Sequence, residues 1–224
     1  MPVRKFVPAY EGNLRKHALS VPRCISECSG IRVFGRRIKS LVFSTDVAII
    51  KNINADAIIA VYPFTPQPAI TQAIIGVSEV PVFCGVGGGL TNGVRSASMA
   101  AYVEHQGAYG VVCNSKIGVE TIHAIKDAVE IPVVYTVISE NTDIQPYLTA
   151  GVDIINVSGA ARTPEIVGTL RQRYPELPII ATGGPTEESI LATIRAGANA
   201  ITYTPPSSAS LFARTMADNR SELE

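Results

Sequence analysis

The apolar segments of this chain recur in pairs, and the two members of a pair begin differently. One kind opens with small residues, at residues 54–57, 106–108, 150–153 and 196–199. The other kind opens directly after a proline, at Pro81, Pro132 and Pro178. The small-residue openings repeat at steps of 52, 45 and 46 residues, counted along Asp56, Ala108, Asp153 and Asn199. A step of that length holds two strand–helix units.

A further apolar segment at residues 41–44 brings the number of predicted strands to eight, each followed by a helical stretch. Eight such units predict a closed parallel barrel ringed by helices, the α/β fold known as the (β/α)8 or TIM barrel. Continuous apolar runs such as residues 57–61 are typical of parallel strands buried on both faces. We assign the barrel to residues 41–224 and an N-terminal basic extension to residues 1–40.

The charge is unevenly placed along the chain. The chain has 19 basic residues (Lys and Arg) and 19 acidic residues (Asp and Glu), so its net charge is zero. Residues 1–40 nevertheless carry a net charge of +7, and the remaining residues carry −7. We expect this extension to pack on its own barrel or on a neighbouring subunit, which favours a homo-oligomer. A flap over an anionic substrate and a nucleic-acid arm are the alternatives. No basic motif interleaved with aromatic residues supports a nucleic-acid partner, and we expect none.

The composition also indicates the cellular compartment and the kinds of catalytic site that the chain can form. No apolar run reaches the length of about 18 residues that a membrane span needs, and the N-terminus lacks the apolar core of a signal peptide. The four cysteines are too scattered for a disulfide framework, which indicates a reducing cytoplasm. The three histidines fall away from the strand ends, and no metal-ligand spacing is visible. We therefore expect no metal and no cofactor.

The strongest motif is a predicted anion site in the loops after strands 7 and 8. Thr182, Gly183 and Gly184 follow strand 7, and adjacent glycines let backbone N–H groups approach a phosphate. Ser207 and Ser208 follow strand 8, where a helix N-terminus adds unpaired N–H groups and the positive end of its dipole. The alternative for the glycine pair is a tight strand–helix turn. Two prolines in the second loop remove two possible donors.

Four residues at predicted strand ends are candidates for catalysis. Asp46 follows strand 1 and is the best candidate base, with a helix N-cap as the alternative role. Lys116 after strand 4 is suited to anchoring a carboxylate or phosphate or to acting as an acid, and Glu140 after strand 5 to being a partner acid. For both, an exposed loop position is the alternative. Cys84 precedes a glycine run that offers an oxyanion hole to a nucleophilic thiol, and the commoner role for a cysteine at a strand end is apolar packing.

Three more strand-end residues are candidates for substrate binding. Asn114 and Asn156 end alternate strands, so both are expected to point inward. Polar residues inside a barrel need hydrogen-bond partners, which makes a ligand or an ordered water plausible beside them. Tyr203 ends strand 8 and is assigned to the same mouth.

Together, the eight-unit rhythm, the segment 181–184 and the segment 196–200 resemble the phosphate-binding barrel superfamily, which includes thiamine-phosphate synthase and phosphosugar epimerases. The segments 44–46, 62–68, 83–89 and 203–206 resemble a bacterial family usually labelled only "hydrolase", a label that names no substrate. The aldolase members of the superfamily carry a Schiff-base lysine on strand 6. Strand 6 of this chain has none, so that chemistry is not implied.

These observations predict an enzyme that acts on a small phosphorylated or carboxylated metabolite by metal-independent acid–base chemistry. Isomerisation or a lyase reaction fits the residue types, and the family label implies hydrolysis. The partner is a small anionic metabolite. The alternative is a non-catalytic barrel that senses a phosphorylated metabolite and uses its basic arm on RNA or on a protein.

Overall fold

The computed structural model of the chain describes residues 6–10, 12 and 19–221. Its centre is a closed barrel of eight parallel strands, so the predicted (β/α)8 fold is confirmed. A two-stranded antiparallel hairpin precedes the barrel. In chain order the strands are β1 (Ile31–Val33), β2 (Arg36–Ile38), β3 (Ser40–Phe43), β4 (Ala57–Ala60), β5 (Val82–Gly87), β6 (Gly110–Cys113), β7 (Val133–Val137), β8 (Ile154–Val157), β9 (Ile179–Thr182) and β10 (Ala200–Tyr203). β10 pairs with both β9 and β3, which closes the cylinder.

A helix follows each barrel strand and packs on the outside of the cylinder. The eight helices are α1 (Val47–Lys51), α2 (Pro68–Val77), α3 (Val94–His105), α4 (Val119–Ala128), α5 (Gln145–Thr149), α6 (Thr163–Arg173), α7 (Glu187–Arg195) and α8 (Ser208–Ser221). Short 3-10 helices cover Arg23–Glu27 and Ala160–Arg162. Within the described ranges, every helix is too short or too polar to cross a bilayer.

The strands separate two apolar cores because successive side chains point to opposite faces. On β5, Phe83 belongs to the inner core and Cys84 to the outer core under the helices. Gly110 of β6 makes room for the inner core, since a Cβ there would lie 2.5 Å from the Phe83 ring. The inner core fills the lower part of the barrel with Leu41, Ala57, Ile59, Phe83, Val112, Val134, Ile154, Ile180 and Ala200. Space for a site therefore remains towards the carboxyl ends of the strands.

The β1–β2 hairpin contributes to the same inner core. Val33 and Ile38 are buried within it, while Phe34 and Gly35 form the turn with φ values of 44° and 81°. Positive φ at both central residues is typical of a type I′ hairpin turn. The hairpin, which belongs to the basic extension, thus packs on its own barrel, and this fits the first of the alternatives above. The boundary at residue 40 stays a prediction, because the hairpin and the barrel share a core.

Candidate active site at the barrel mouth

A cavity of about 370 Å³ opens at the carboxyl ends of the barrel strands. It lies above the inner core, where barrel enzymes place their chemistry. Its wall is formed by the last inward-facing residue of each strand and by the loops after β4 and β5. The lining residues are Phe43, Ile59, Val61, Tyr62, Pro63, Phe64, Thr65, Pro66, Gly85, Gly87, Gly89, Leu90, Thr91, Val112, Asn114, Thr136, Asn156, Ser158, Thr182, Thr202 and Thr204.

One half of the wall, which we call the polar wall, consists of hydroxyl and amide side chains at the ends of β6 to β10. Its central members are Asn114, Thr136, Asn156, Thr182 and Thr202. Register places Thr136 beside Asn156 and Thr182 beside Thr202 on neighbouring strands. The Asn156 amide donates to the Thr136 hydroxyl at 3.3 Å.

Two atoms of the polar wall have no partner. Asn156 is 8% exposed and Thr202 is 5% exposed. Among the described residues, neither Asn156 Oδ1 nor the Thr202 hydroxyl makes a hydrogen bond. Buried polar atoms in native proteins are almost always paired, so each such atom needs an explanation. Both side chains line the cavity, and a bound molecule would supply the missing partners.

The opposite half of the wall, which we call the apolar wall, is hydrocarbon and aromatic. It is built by Phe43, Ile59 and Val61 at the ends of β3 and β4, and by Phe64 and Leu90 from the loops after β4 and β5. Phe64 is 72% exposed and Leu90 is 90% exposed. Large apolar side chains that gather around a concave opening are typical of binding sites.

No Asp, Glu, Lys, Arg, His or Cys side chain is among the described residues that line the cavity. The polar wall instead offers neutral hydroxyl and amide groups, with the Tyr62 phenol on the opposite side. The Tyr62 hydroxyl oxygen accepts a hydrogen bond from the Gln67 backbone N–H at 2.8 Å, and a hydroxyl can also donate one. The walls can orient a ligand and donate hydrogen bonds, but they carry no ionic partner for a buried charge.

The structure brings three of the predicted binding residues together. Asn114, Asn156 and Thr182 all line the cavity. Tyr203, predicted at the same mouth, is not among the described residues that line the cavity, and its side chain packs on the outer core under the helices. Strand alternation turns Thr202 and Thr204 inward instead, and both line the cavity. Alternation along β10 was the available sequence signal. Once one residue of a strand is known to point into the barrel, the residues two positions away must point inward as well.

In the predicted anion site, the Gly183 and Ser208 amides donate to groups of the protein itself. The Gly183 N–H donates to the Thr202 carbonyl at 3.2 Å. A Cβ on Gly183 would lie 2.7 Å from Ile190, and one on Gly184, at φ 82°, would lie 2.5 Å from the Ser189 hydroxyl. These contacts are those of a tight strand–helix turn.

The second half of the anion site lies at the start of α8. The Ser207 hydroxyl accepts from the Ser210 N–H at 3.2 Å, and the Ser208 N–H donates to an Asp46 carboxylate oxygen at 3.3 Å. That carboxylate stands where an anion at the helix N-terminus would bind, and it would repel one. None of Gly183, Gly184, Ser207 and Ser208 lines the cavity. Phosphate binding at this site stays a prediction, and these contacts do not support it.

Asp46 has the contacts of a helix cap. Its side chain accepts from the Ala48 N–H at 2.9 Å and the Ile49 N–H at 3.3 Å, at the start of α1. A hydrogen bond from the Ser208 side chain is the main cause that lowers the pKa of the Asp46 carboxyl, and the amides of α1 add to it. A general base at neutral pH needs a raised pKa. The geometry therefore matches the N-cap alternative.

Two further candidates lie at the rim of the mouth. Lys116 is exposed in the turn after β6, two residues beyond Asn114. Glu140, after β7, forms an ion pair with Arg162. Its own backbone N–H and the Arg162 guanidinium hold the pKa of the Glu140 carboxyl below its ordinary value. Arg162 lies after β8, in the 3-10 helix, and no sequence pattern singled it out.

Cys84 is fully buried in the outer core, on the face of β5 that points away from the cavity. Burial raises the pKa of its thiol to about 12. The thiolate is the nucleophilic form of cysteine, so this placement gives no support to a nucleophilic role.

Structural comparison places the fold among known barrels. No protein-family model matches the sequence, and no curated protein matches it. A 2,3-dimethylmalate lyase of the PEP mutase/isocitrate lyase superfamily superimposes with a TM-score of 0.63 at 14% identity, covering 90% of this chain and 85% of the lyase. A phosphonopyruvate hydrolase in complex with oxalate and Mg²⁺ gives 0.62 at 16% identity, with 87% and 83% covered. Phosphoenolpyruvate phosphomutase from Streptomyces platensis subsp. rosaceus gives 0.61 at 16%, with 81% and 80% covered.

Likenesses at this level of identity show the barrel fold. They do not show membership of the phosphate-binding or "hydrolase" families that the sequence resembles. The Mg²⁺ of the phosphonopyruvate hydrolase complex raises the question of a metal here. Magnesium prefers carboxylate ligands. The described residues contain no group of three or more His, Cys, Asp or Glu side chains suited to a metal ion, and the cavity wall has no carboxylate. These residues do not fit a magnesium site of that kind.

Proposed function

We propose that the chain is an enzyme that acts on a small carboxylated or phosphorylated metabolite bound in the mouth cavity. The observation that carries this proposal is the pair of unpartnered buried atoms, Asn156 Oδ1 and the Thr202 hydroxyl, in the polar wall. Leaving a buried polar group unsatisfied costs about 1–3 kcal/mol. A substrate that pairs with both atoms removes that cost, so the site is preorganised for a ligand.

The substrate class rests on the structural neighbours and on the rim. The names of the three neighbours refer to phosphonopyruvate, phosphoenolpyruvate and 2,3-dimethylmalate, which are all small carboxylated compounds. In this chain Lys116 lies exposed beside the mouth, where its ammonium group is suited to an anionic substrate group. The Glu140–Arg162 pair lies at the rim between the ends of β7 and β8.

Proton transfer in such a reaction needs a titratable group near the substrate. The Tyr62 phenol lines the cavity, and a hydroxyl group there is suited to donating a hydrogen bond or a proton to a ligand. Among the candidates named by the sequence, Lys116 lies exposed in the turn after β6, whereas the pKa of the Glu140 carboxyl is lowered by its own backbone N–H and by Arg162. Thr202 and Asn156 orient the substrate by hydrogen bonds. An elimination or isomerisation next to a carbonyl fits this set of groups better than attack by a buried nucleophile.

A non-catalytic sensing barrel is the second candidate. The absence of acidic, basic and thiol side chains among the described lining residues favours it, because binding alone needs no titratable group. The two candidates differ in one measurable property: the enzyme consumes its ligand and the sensor does not.

The test uses wild-type protein and Thr202→Val, which keeps the side-chain shape and removes the unpaired hydroxyl. Pools of carboxylated and phosphorylated metabolites are incubated with each protein, and proton and phosphorus NMR follow binding and consumption. We expect the wild type to consume at least one compound and Thr202→Val to do so more slowly by at least about tenfold. The variant should be no less stable than wild type, because the lost hydroxyl had no partner.

The control is Thr163→Val. Thr163 is buried away from the cavity, and its hydroxyl accepts from the Gly159 N–H at 3.0 Å. We expect this variant to lose stability and to keep the affinity for the ligand. Binding without consumption would establish the sensing barrel instead. Failure of every compound to bind at the cavity would overturn both candidates.

A further inference from the structure

The two walls of the cavity differ in chemistry, and this difference selects among possible substrates. The polar wall is formed by consecutive strands, β6 to β10, and the apolar wall faces it from β3, β4 and two loops. A ligand in the cavity therefore contacts hydroxyl and amide groups on one side and hydrocarbon on the other.

We infer that the substrate is a small acid with a two-sided body: a hydroxyl or other hydrogen-bond donor faces the polar wall, and an aliphatic or aromatic group faces the apolar wall. Its anionic group stays at the rim. This inference rests on the proposed function, since it narrows the substrate class of the same site.

The position of the anionic group follows from the charges. The described lining residues include no cation, so a carboxylate held deep in the cavity would lose its hydration without gaining an ionic partner. Lys116 lies exposed in the turn two residues beyond Asn114, which lines the cavity, whereas Arg162 is already paired with Glu140 and Glu165. At the rim beside Lys116, water still solvates the anion and an ammonium group can reach it.

The polar side of the substrate follows from Asn156. Its amide nitrogen donates to Thr136, which leaves Oδ1 as the unpaired atom. A carbonyl-type oxygen accepts hydrogen bonds only. Its partner must be a donor, such as a hydroxyl, and not an ionised carboxylate or phosphate oxygen. The Thr202 hydroxyl can either donate or accept, so it suits the same ligand hydroxyl or a neighbouring oxygen.

The apolar side follows from the exposure of the wall. Phe43, Phe64 and Leu90 all line the cavity and are exposed to solvent. A fully hydroxylated substrate would leave this hydrocarbon uncovered, whereas an aliphatic or aromatic group would remove it from water. The wall therefore favours a substrate that carries such a group.

The test compares three classes of small carboxylic acid that share the anionic group and differ in the body. 3-Phenyllactate represents acids with both a hydroxyl and an apolar group, 3-phenylpropionate lacks the hydroxyl, and glycerate lacks the apolar group. A panel sorted in advance into these classes is titrated by NMR, with 3-phosphoglycerate added as a doubly anionic compound. We expect the tightest ligands in the first class, by about tenfold over each of the others.

Variants assign the preference to the walls. Asn156→Leu should bring the affinity ratio of 3-phenyllactate to 3-phenylpropionate close to one, because the donor on the ligand loses its acceptor. Phe64→Ser should lower the ratio of 3-phenyllactate to glycerate by several-fold, and Phe212→Ser, an exposed phenylalanine on α8, should leave it unchanged. A ratio within one variant does not depend on how stable that variant is.

Outcomes separate the two proposals. Equal binding of the three classes, or tightest binding of 3-phosphoglycerate, would overturn the two-sided substrate and leave the proposed function standing. An unchanged ratio in both wall variants would also overturn it. If no acid of any class bound at the cavity, the proposed function itself would fail.

Discussion

Asp46 joins two helices that are distant in the sequence. Its carboxylate caps α1 and also accepts from Ser208 at the start of α8, 162 residues further along the chain. Both helix N-termini present partial positive charge to it, so the ionised form is the stabilised one. In the structure, the residue that the sequence suggested as a base links the first and last strand–helix units of the barrel by hydrogen bonds.

This role predicts a pH-dependent loss of stability in Asp46→Asn. Because the pKa of the folded carboxyl is lowered, its contribution is complete above the unfolded value of about 3.9 and is lost as the pH falls through the folded value. At pH 7 we expect the variant to be less stable by about 0.5–1 kcal/mol. The difference between the two proteins should vanish at the acid end of a series of urea titrations.

The control is Asp218→Asn, an exposed position towards the other end of α8. It should show no comparable loss at pH 7. A penalty for Asp46→Asn that stays constant from pH 7 to pH 3 would contradict the assignment to an ionised cap.

At the scale of elements, the glycine-rich end of β5 shapes the cavity. Gly85, Gly87 and Gly89 line it, so the strand contributes space where other strands contribute side chains. Glycine is needed at position 88 for a different reason. At φ 100°, a Cβ would lie 2.8 Å from the backbone nitrogen of Asn114. The β5 loop and the end of β6 therefore touch backbone to backbone beside the site.

Gly88→Ala and Gly89→Ala form a matched pair at adjacent positions. The first places a methyl group against the Asn114 backbone in a left-handed conformation, and we expect it to cost about 1–3 kcal/mol of stability. The second meets no atom within 4 Å, and we expect a change within about 0.5 kcal/mol. Urea unfolding of both variants measures the difference. An equal loss of stability in both variants would show that the close approach of the two loops does not require glycine at position 88.

At the scale of the whole molecule, the hairpin and the barrel share one core, and we expect them to unfold together. Val33 and Ile38 of the hairpin are buried together with Leu41 of β3 and Ala200 of β10. The base of the barrel is thus closed by residues that precede it in sequence, while the mouth at the other end is left open to ligands.

Ile38→Ala should therefore lower the global free energy of unfolding by about 2–5 kcal/mol, and Ile38→Val by about 0.5–1.5 kcal/mol. Tyrosine fluorescence and far-ultraviolet circular dichroism, followed together in urea, should give coincident transitions in each variant. A separate early transition, with the main one unmoved, would mean that the hairpin folds apart from the barrel.

The sequence alone determined the repeat and hence the barrel. Apolar runs, small-residue openings and prolines before strands are local features that can be read from the sequence. Eight consecutive strand–helix units are typical of the (β/α)8 barrel. The sequence also predicted that the site lies at the strand ends, and three of the residues that it named, Asn114, Asn156 and Thr182, line the cavity.

Only the tertiary structure decided which side of each strand faces the cavity. Alternation relates residues on one strand to each other, but both faces of a barrel strand are apolar, so the pattern does not say which face is inward. That choice places Thr202 in the cavity and sends Tyr203 and Cys84 to the outer core. The Asp46–Ser208 bond and the apolar wall likewise depend on contacts between distant segments, because side chains of different strands meet only when the barrel closes.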